Sequence, residues 1–303
     1  MSSTLTELSG NKSAVTAAVV TDLARDIGTL LHSHCTKLSL AARPPITPKA
    51  INACIIDIQK LFPMIASLCH SLQPKLHGKA LCDRIRNQSR YALIGVRSMV
   101  QAVSEDPVSE ARLNKTGILW ESCLELQNMQ KLDLIMSLKV KECTQMIGDA
   151  VDDLKSWSLG EEDDNFDDFE TSDSESDAGK RDEPASEERT ADAEIARRIS
   201  MLTRIQLFLK AVDKRQITPA ASTQLMNGIY DNLSKLSVEV DDLAGEIQES
   251  ADTAFIMEME KIVIQRVEEL LSITLANNRD EKWQTWVANF RKRWLEEVIG
   301  GSK

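Results

Sequence analysis

Apolar side chains in the first half of the chain recur with the 3.6-residue period of an α-helix. The clearest stripe consists of Ile51, Cys54, Ile55, Ile58, Leu61, Phe62, Ile65, Leu68 and Leu72. Apolar positions at this spacing share one helix face and are typical of a buried face. Divided at prolines and N-cap residues, the pattern predicts five helices, at 13–40, 48–72, 74–105, 109–126 and 131–157. Pro63 predicts a kink or a break in the second of them.

The second half shows the same period and predicts four further helices. They cover residues 191–217, 219–236, 238–275 and 281–298, and the third of them is an unusually long amphipathic segment. Neither half contains a convincing strand or a repeat of 20–50 residues. The sequence therefore predicts an all-α protein of two helical bundles, with about five helices in the first and about four in the second.

Between these halves, residues 158–190 have no apolar period and few apolar side chains. Residues 161–177 contain ten Asp or Glu and no Lys or Arg. Such a segment cannot bury enough surface to offset its conformational entropy. The predicted organisation is an N-terminal bundle at 1–157, a disordered acidic linker at 158–190, and a C-terminal bundle at 191–303.

Composition and charge narrow the class of protein further. The net charge is −11, and the acidic run leaves about −1 for the rest of the chain, so no basic footprint for nucleic acid is present. The N-terminus does not resemble a signal peptide, and no uncharged apolar run approaches the ~20 residues of a membrane span. We expect an intracellular, soluble protein of the nucleus and cytoplasm, with no direct contact to nucleic acid or membrane.

The cysteines and histidines offer no framework for disulfides or metals. All six cysteines lie singly in apolar helical stretches of the first half: Cys35, Cys54, Cys69, Cys82, Cys123 and Cys143. Buried free thiols are expected in an intracellular chain of this size. The four histidines are His32, His34, His70 and His77. Their spacing to the cysteines does not supply the four paired ligands that zinc normally takes, so no metal site is predicted.

A search for catalytic motifs finds no Gly-rich phosphate loop, no GxSxG and no HExxH. Adjacent carboxylates such as Asp152-Asp153 and Asp241-Asp242 point about 100° apart on a helix and do not converge on one bond. Glu258, Glu260 and the pair Glu268-Glu269 are expected to be solvated faces. The sequence predicts no enzyme activity, no catalytic residue and no cofactor.

Three groups of residues are compatible either with a partner-binding role or with an ordinary structural role. Arg84, Arg86, Arg90 and Arg97 can form a partner-docking stripe or a solvent face with local ion pairs, and the solvent face is favoured. Arg291-Lys292-Arg293 resembles a nuclear-import signal, but the triplet lies in an amphipathic helix. A structural role is therefore favoured over an import signal. Trp283, Trp286, Phe290 and Trp294 share one stripe, so core packing is favoured over a partner anchor.

Ser172 and Ser174 are candidate phosphorylation sites. Each has an acidic residue three positions later, Glu175 and Asp177, which is the pattern of an acid-directed kinase such as casein kinase 2. Each phosphate would add about 1.5–2 negative charges to a segment that is already acidic.

Several segments resemble the cyclin-D-interacting protein (GCIP, cyclin-D-binding) family. They are ILWESCLELQNMQ, KVKECTQMIGDAVDDLKSW with the acidic run behind it, Val240-Asp241-Asp242-Leu243-Ala244, and the Trp-bearing last helix. The resemblance implies an all-α protein without enzyme activity that binds D-type cyclins and transcription regulators and restrains the cell cycle. Members are also described as helix-loop-helix proteins without a basic region, and this chain likewise has none before a helix pair. In an organism without D-type cyclins, the partner must be another protein.

The leading hypothesis is therefore a cell-cycle or transcription regulator that binds proteins through helix faces, with a linker tuned by phosphorylation. A helical scaffold or adaptor of the cytoskeletal-adhesion type is the alternative. An enzyme with a cryptic site is a third hypothesis, and it requires a deep pocket with convergent polar groups.

Overall fold

The computed structural model of the protein describes residues 15–106, 110–158, 186–249, 252–277 and 280–298. Within these ranges the chain is helical and contains no β-strand, which confirms the predicted all-α class. The helices, numbered in chain order, are α1 (Ala17–Ala41), α2 (Pro48–Gln59), α3 (Phe62–Ser71), α4 (Pro74–His77), α5 (Lys79–Glu105), α6 (Glu110–Gln127), α7 (Leu132–Ser158), α8 (Ser186–Gln216), α9 (Thr223–Glu249), α10 (Thr253–Asn277) and α11 (Glu281–Val298).

The chain forms two compact units. The first consists of Met1–Met136 and Pro219–Asn227, and the second of Ser137–Thr218 and Gly228–Lys303. These bounds differ from the predicted domains at 1–157 and 191–303, because most of α7 packs with later helices. In the second unit, for example, Gln206 Nε2 donates a hydrogen bond to the carbonyl oxygen of Thr144 at 3.1 Å.

In the first unit, α6 packs against both α1 and α5. Its inward stripe includes Leu119, Cys123 and Leu126, all with no exposed surface. Gly28 of α1 lies against the α6 backbone so closely that a Cβ there would be 2.7 Å from the amide nitrogen of Gln127. This absence of a side chain allows the two helices to approach each other, as small residues do at close helix crossings.

Proline and glycine set the helix ends in the first unit largely as the sequence predicts. α2 begins with Pro48 after Thr47, the helix is interrupted at Lys60 and Leu61, and Pro63 lies in the first turn of α3. The single helix predicted at 74–105 is wrong in one respect: Gly78 separates the short α4 from α5. Its φ of +87° is a conformation that side chains other than glycine rarely adopt, so the helix is interrupted there.

The second unit is built around α8, α10 and α11, with parts of α7 and α9. Its largest fully buried side chains are Phe208 of α8 and Trp283 and Trp294 of α11. The last helix has the bounds that the sequence predicts, Glu281–Val298.

The predicted helices at 219–236 and 238–275 are wrong in their boundary. The chain stays helical through Leu236 and Val238, and α9 ends only at Glu249. The next helix starts at Thr253, where Asp252 caps it by accepting hydrogen bonds from the amides of Ala254 and Phe255 at 3.0 and 3.1 Å. An aspartate in this position satisfies amides that have no partner within the helix, and so it marks the true start.

The predicted linker at 158–190 falls mainly outside the described residues. Ser158 is the last residue of α7, and α8 begins at Ser186. Helical structure thus reaches into both ends of the predicted linker. The disorder predicted for the residues between them stays a prediction.

Candidate interaction surface

The candidate site lies on the first unit, along the outer edge where α5 and α6 pack together. Two contacts fix the pairing of these helices. Arg84 of α5 forms an ion pair with Glu125 of α6 at 2.5 Å, and a Cβ at Gly95 would lie 3.3 Å from the Cα of Leu119. The residue numbers rise on α5 while they fall on α6, so the two helices are antiparallel. Residues around 91–95 of α5 therefore lie opposite residues around 118–122 of α6.

Three large apolar side chains are exposed along this edge. Tyr91 is 57% exposed, Ile94 is 50% exposed and Ile118 is 54% exposed. Tyr91 and Ile94 are three residues apart and share a helix face, and the α5–α6 pairing places Ile118 opposite Ile94. Single exposed apolar residues are ordinary, but neighbouring ones mark interaction surfaces. We call Tyr91, Ile94 and Ile118 the α5–α6 edge.

Exposed cations border the α5–α6 edge. Arg90 and Arg97 lie on the outward face of α5 beside Ile94, and neither has an ion-pair partner among the described residues. Arg84 and Arg86, by contrast, are engaged: Arg86 donates to the carbonyl oxygen of Leu72 at 3.1 Å and lies 3.7 Å from Asp83. The predicted arginine stripe thus divides into two residues that hold the helices in place and two whose charge faces solvent.

The sequence did not single out the α5–α6 edge. The apolar stripe that the sequence predicts for this helix includes Ile85, Leu93, Val96 and Met99. Tyr91 and Ile94 are not part of that stripe, and their departure from it was the available signal. Ile118 begins the ILWESCLELQNMQ segment, whose exposed positions depend on how α6 rotates against its neighbours.

The histidines take structural roles where the structure describes their contacts. His77 is buried, and its ring bonds to the amide of Gln73 through Nδ1 and to the carbonyl oxygen of Val15 through Nε2. The ring of His32 packs on Trp120 with 5.7 Å between centroids. Within the described part of the chain no three His, Cys, Asp or Glu side chains come together in a way that could hold a metal ion.

All six cysteines are free thiols, but the predicted burial is confirmed for only four of them. Cys35, Cys82, Cys123 and Cys143 are buried, whereas Cys54 and Cys69 are partly exposed. The hydrogen bond that the Cys35 thiol donates to Cys123, together with burial, raises the pKa of Cys35 far above its ordinary value. Burial raises the pKa of the Cys143 thiol to about 12. Such thiols are protonated near neutral pH and are poor nucleophiles.

In the second unit the aromatic stripe of α11 belongs mainly to the core. Trp283 and Trp294 have no exposed surface, while Trp286 and Phe290 are partly exposed. Phe208 of α8 stacks on the ring of Phe290 with 5.3 Å between centroids. In the basic triplet, Arg291 forms an ion pair with Glu268 at 2.7 Å, so that arginine contributes to packing between α10 and α11.

Glu260 corrects one of the predicted solvent faces. The residue is 5% exposed, and its carboxylate lies 2.6 Å from the guanidinium of Arg197 and 3.3 Å from that of Arg198. Glu194 completes the cluster at 2.7 Å from Arg197, which holds the pKa of the Glu194 carboxyl below its ordinary value. The cluster joins α8 to α10, and its paired charges are used for packing. Asp152-Asp153 and Asp241-Asp242 are exposed.

One segment of the described chain, Pro48–Ser71, is long and apolar enough to cross a membrane. Its most apolar window has a mean hydropathy of 1.3, and 22% of that window is buried. The segment contains Lys49, Asp57 and Lys60, so it is not an uncharged run of the kind that the sequence was expected to lack. The segment comprises α2 and α3, and the core helix of a soluble protein meets the same two criteria.

Ser172 and Ser174 lie outside the described residues, so their assignment as phosphorylation sites stays a prediction.

Comparisons with known proteins support the resemblance seen in the sequence. Residues 24–160 match the family model described as Grap2 and cyclin-D-interacting, N-terminal. An uncharacterized protein of Schizosaccharomyces pombe is 25% identical over 284 residues, which cover 89% of this chain and 82% of the relative. An uncharacterized protein of Saccharomyces cerevisiae is 21% identical over 305 residues, which cover 88% of this chain and 84% of the relative. No solved structure matches the chain significantly.

Proposed function

We propose that this chain, a member of the Grap2 and cyclin-D-interacting family by the match of residues 24–160, binds a D-type cyclin or a related cell-cycle or transcription regulator. It does so without enzyme activity of its own. The family description names the interaction, and the matched residues include all of α5 and α6. The α5–α6 edge is the observation that carries the proposal, because it is an exposed apolar surface within that region.

The contacts of the polar side chains support a binding role. The buried ionic groups of the second unit are paired with one another, and the buried histidine of the first unit bonds to backbone atoms. These groups contribute to packing between helices. An interaction protein needs only a stable scaffold that holds a complementary surface rigid, and long packed helices provide it.

A binding measurement with purified proteins tests the proposal. Full-length protein is titrated into a D-type cyclin, and into a cyclin of another class as the control, by isothermal titration calorimetry. We expect a dissociation constant in the micromolar range or below for the D-type cyclin and at least tenfold weaker binding for the control. Equal affinity for both cyclins, or no heat with either at 50 µM, contradicts the proposal.

We also propose that the protein acts in the nucleus and cytoplasm and that phosphate on Ser172 and Ser174 adjusts partner binding. Casein kinase 2 treatment followed by mass spectrometry tests the modification, with Ser172→Ala and Ser174→Ala as controls. Cyclin titrations before and after treatment then measure its effect. An unmodified segment, or unchanged cyclin affinity after full modification, refutes this part. Imaging of a fluorescently tagged chain tests the location, and exclusion from the nucleus contradicts it.

A further inference from the structure

The α5–α6 edge has the dimensions of a binding groove for one helix. Arg90 and Arg97 are seven residues apart on α5, which is about 10 Å at 1.5 Å per residue, or two helical turns. Tyr91 and Ile94 lie between them along the axis, and Ile118 lies opposite on α6. Two antiparallel helices leave a shallow groove along their outer edge, and a third helix can place its apolar stripe there.

The charge around the edge differs in sign from the charge of the whole protein. Arg90, Arg97 and Lys115 are exposed cations near it, and Glu121 of α6 is an exposed anion near it. The chain as a whole carries −11. Charges at the rim of an interface orient the partner and raise the rate of association, and apolar contacts in its centre supply most of the affinity. This arrangement matches a ligand with carboxylates on its flank and apolar side chains at its centre.

We propose that the α5–α6 edge binds an acidic amphipathic helix of a partner protein. The partner's apolar side chains pack on Tyr91, Ile94 and Ile118, and its carboxylates face Arg90 and Arg97. The inference rests on the proposed function, since it assigns that function a surface and a class of ligand. A nucleic acid is a poor match, because the centre of the surface is apolar and its cations are few.

A designed peptide serves as the first probe. It is an 18-residue amphipathic helix with Leu on one face and Glu on the other, labelled with a fluorophore, and the control peptide has Lys in place of each Glu. Fluorescence anisotropy with the full chain is expected to give at least tenfold tighter binding for the Glu peptide, and weaker binding as salt rises. Equal binding of both peptides, or binding of neither, overturns the proposal.

Variants locate the binding surface. Ile94→Ala combined with Ile118→Ala is expected to weaken Glu-peptide binding at least tenfold, and Arg90→Gln combined with Arg97→Gln at least threefold. The matched control is Leu207→Ala, at a residue that is 55% exposed on α8 in the second unit. Circular dichroism confirms that each variant is folded. Loss of binding in the Leu207→Ala control, or full binding in both double variants, refutes the assignment to this surface.

The same variants with a D-type cyclin separate the two proposals. Weaker cyclin binding in the double variants supports both of them. Cyclin binding that is unchanged in the double variants refutes the assigned surface and leaves the proposed function standing. Peptide binding at the edge with no cyclin binding by the wild type refutes the cyclin partner and leaves the surface standing.

Discussion

Substitution of Gly28 by alanine tests the close packing of α1 on α6. The added Cβ would lie 2.7 Å from the amide nitrogen of Gln127, 2.8 Å from the Cβ of Leu126 and 2.9 Å from the carbonyl oxygen of Cys123. Favourable contacts between heavy atoms lie at about 3.5–4.0 Å. Two of the three atoms belong to the backbone, so no side-chain rotation relieves the overlap. The helices must separate by several tenths of an ångström.

The expected loss follows from two opposing effects. Alanine is favoured over glycine in a helix interior by about 0.8–1.0 kcal/mol. Overpacking of a dense core costs about 1–3 kcal/mol, and a backbone overlap belongs at the upper end of that range. We therefore expect a net loss of about 1–2 kcal/mol. At about 2–4 °C per kcal/mol, Tm should fall by about 2–8 °C.

Gly117→Ala is the matched control, because it makes the same change on α6, where a Cβ meets no atom within 4 Å. Here the helix propensity acts alone, and stability should rise by about 1 kcal/mol. Thermal unfolding followed by circular dichroism at 222 nm measures both variants. A Gly28→Ala variant that unfolds at or above the wild-type temperature, while Gly117→Ala is stabilised, would refute the close packing of α1 on α6.

Three further predictions concern buried and ionisable groups. Glu260→Gln should lower the free energy of unfolding by about 1.5–3 kcal/mol, because it removes the buried carboxylate that pairs with Arg197 and Arg198 and leaves Glu194 alone to balance both guanidiniums. The exposed Glu258→Gln should change it by only about 0.3–0.5 kcal/mol in the same urea titration, and similar losses in the two variants would be inconsistent with a buried cluster. At pH 8, iodoacetamide should alkylate the partly exposed Cys69 in the folded protein, whereas Cys143 should react only after unfolding. Mass spectrometry measures both modifications, and modification of Cys143 in the folded protein would contradict its burial. The lowered pKa of Glu194 contributes stability above its ordinary pKa that is lost as pH falls through the folded value. The Tm advantage of the wild type over Glu194→Gln should therefore shrink between about pH 6 and pH 3, and a constant difference would show that the carboxylate is not stabilised.

Local chemistry made much of the fold predictable. Pro48 and Pro63 determine helix boundaries through the dihedral angle and the missing donor of proline, and these effects need no knowledge of neighbours. The boundary at Asp252 was missed because no proline or glycine accompanies it, and a capping aspartate resembles any other acidic residue of an acidic helix. Gly78 was missed for a related reason, because a single glycine in a helical pattern is often tolerated.

The residues that depend on distant partners could not be predicted in the same way. Glu260 has the local pattern of a solvated face, and only Arg197 and Arg198, more than 60 positions earlier, make it a buried anion. The placement of Ile118 opposite Ile94 depends on the register between α5 and α6. The contact of Leu119 with Gly95 and the ion pair of Arg84 with Glu125 determine that register. The apolar periodicity within either helix carries no information about the register between the two helices.

The composition of the two compact units has a consequence for dissecting the protein. The first unit includes Pro219–Asn227 from late in the chain, and the second includes the stretch from Ser137 to the end of α7. Dividing the chain within 159–185 therefore yields two fragments, neither of which encodes a whole unit. Each fragment expressed alone should expose apolar surface and aggregate, whereas the two co-expressed fragments should recover a soluble product. Truncation studies that assign binding to one half of the gene would then report on misfolding instead of on recognition.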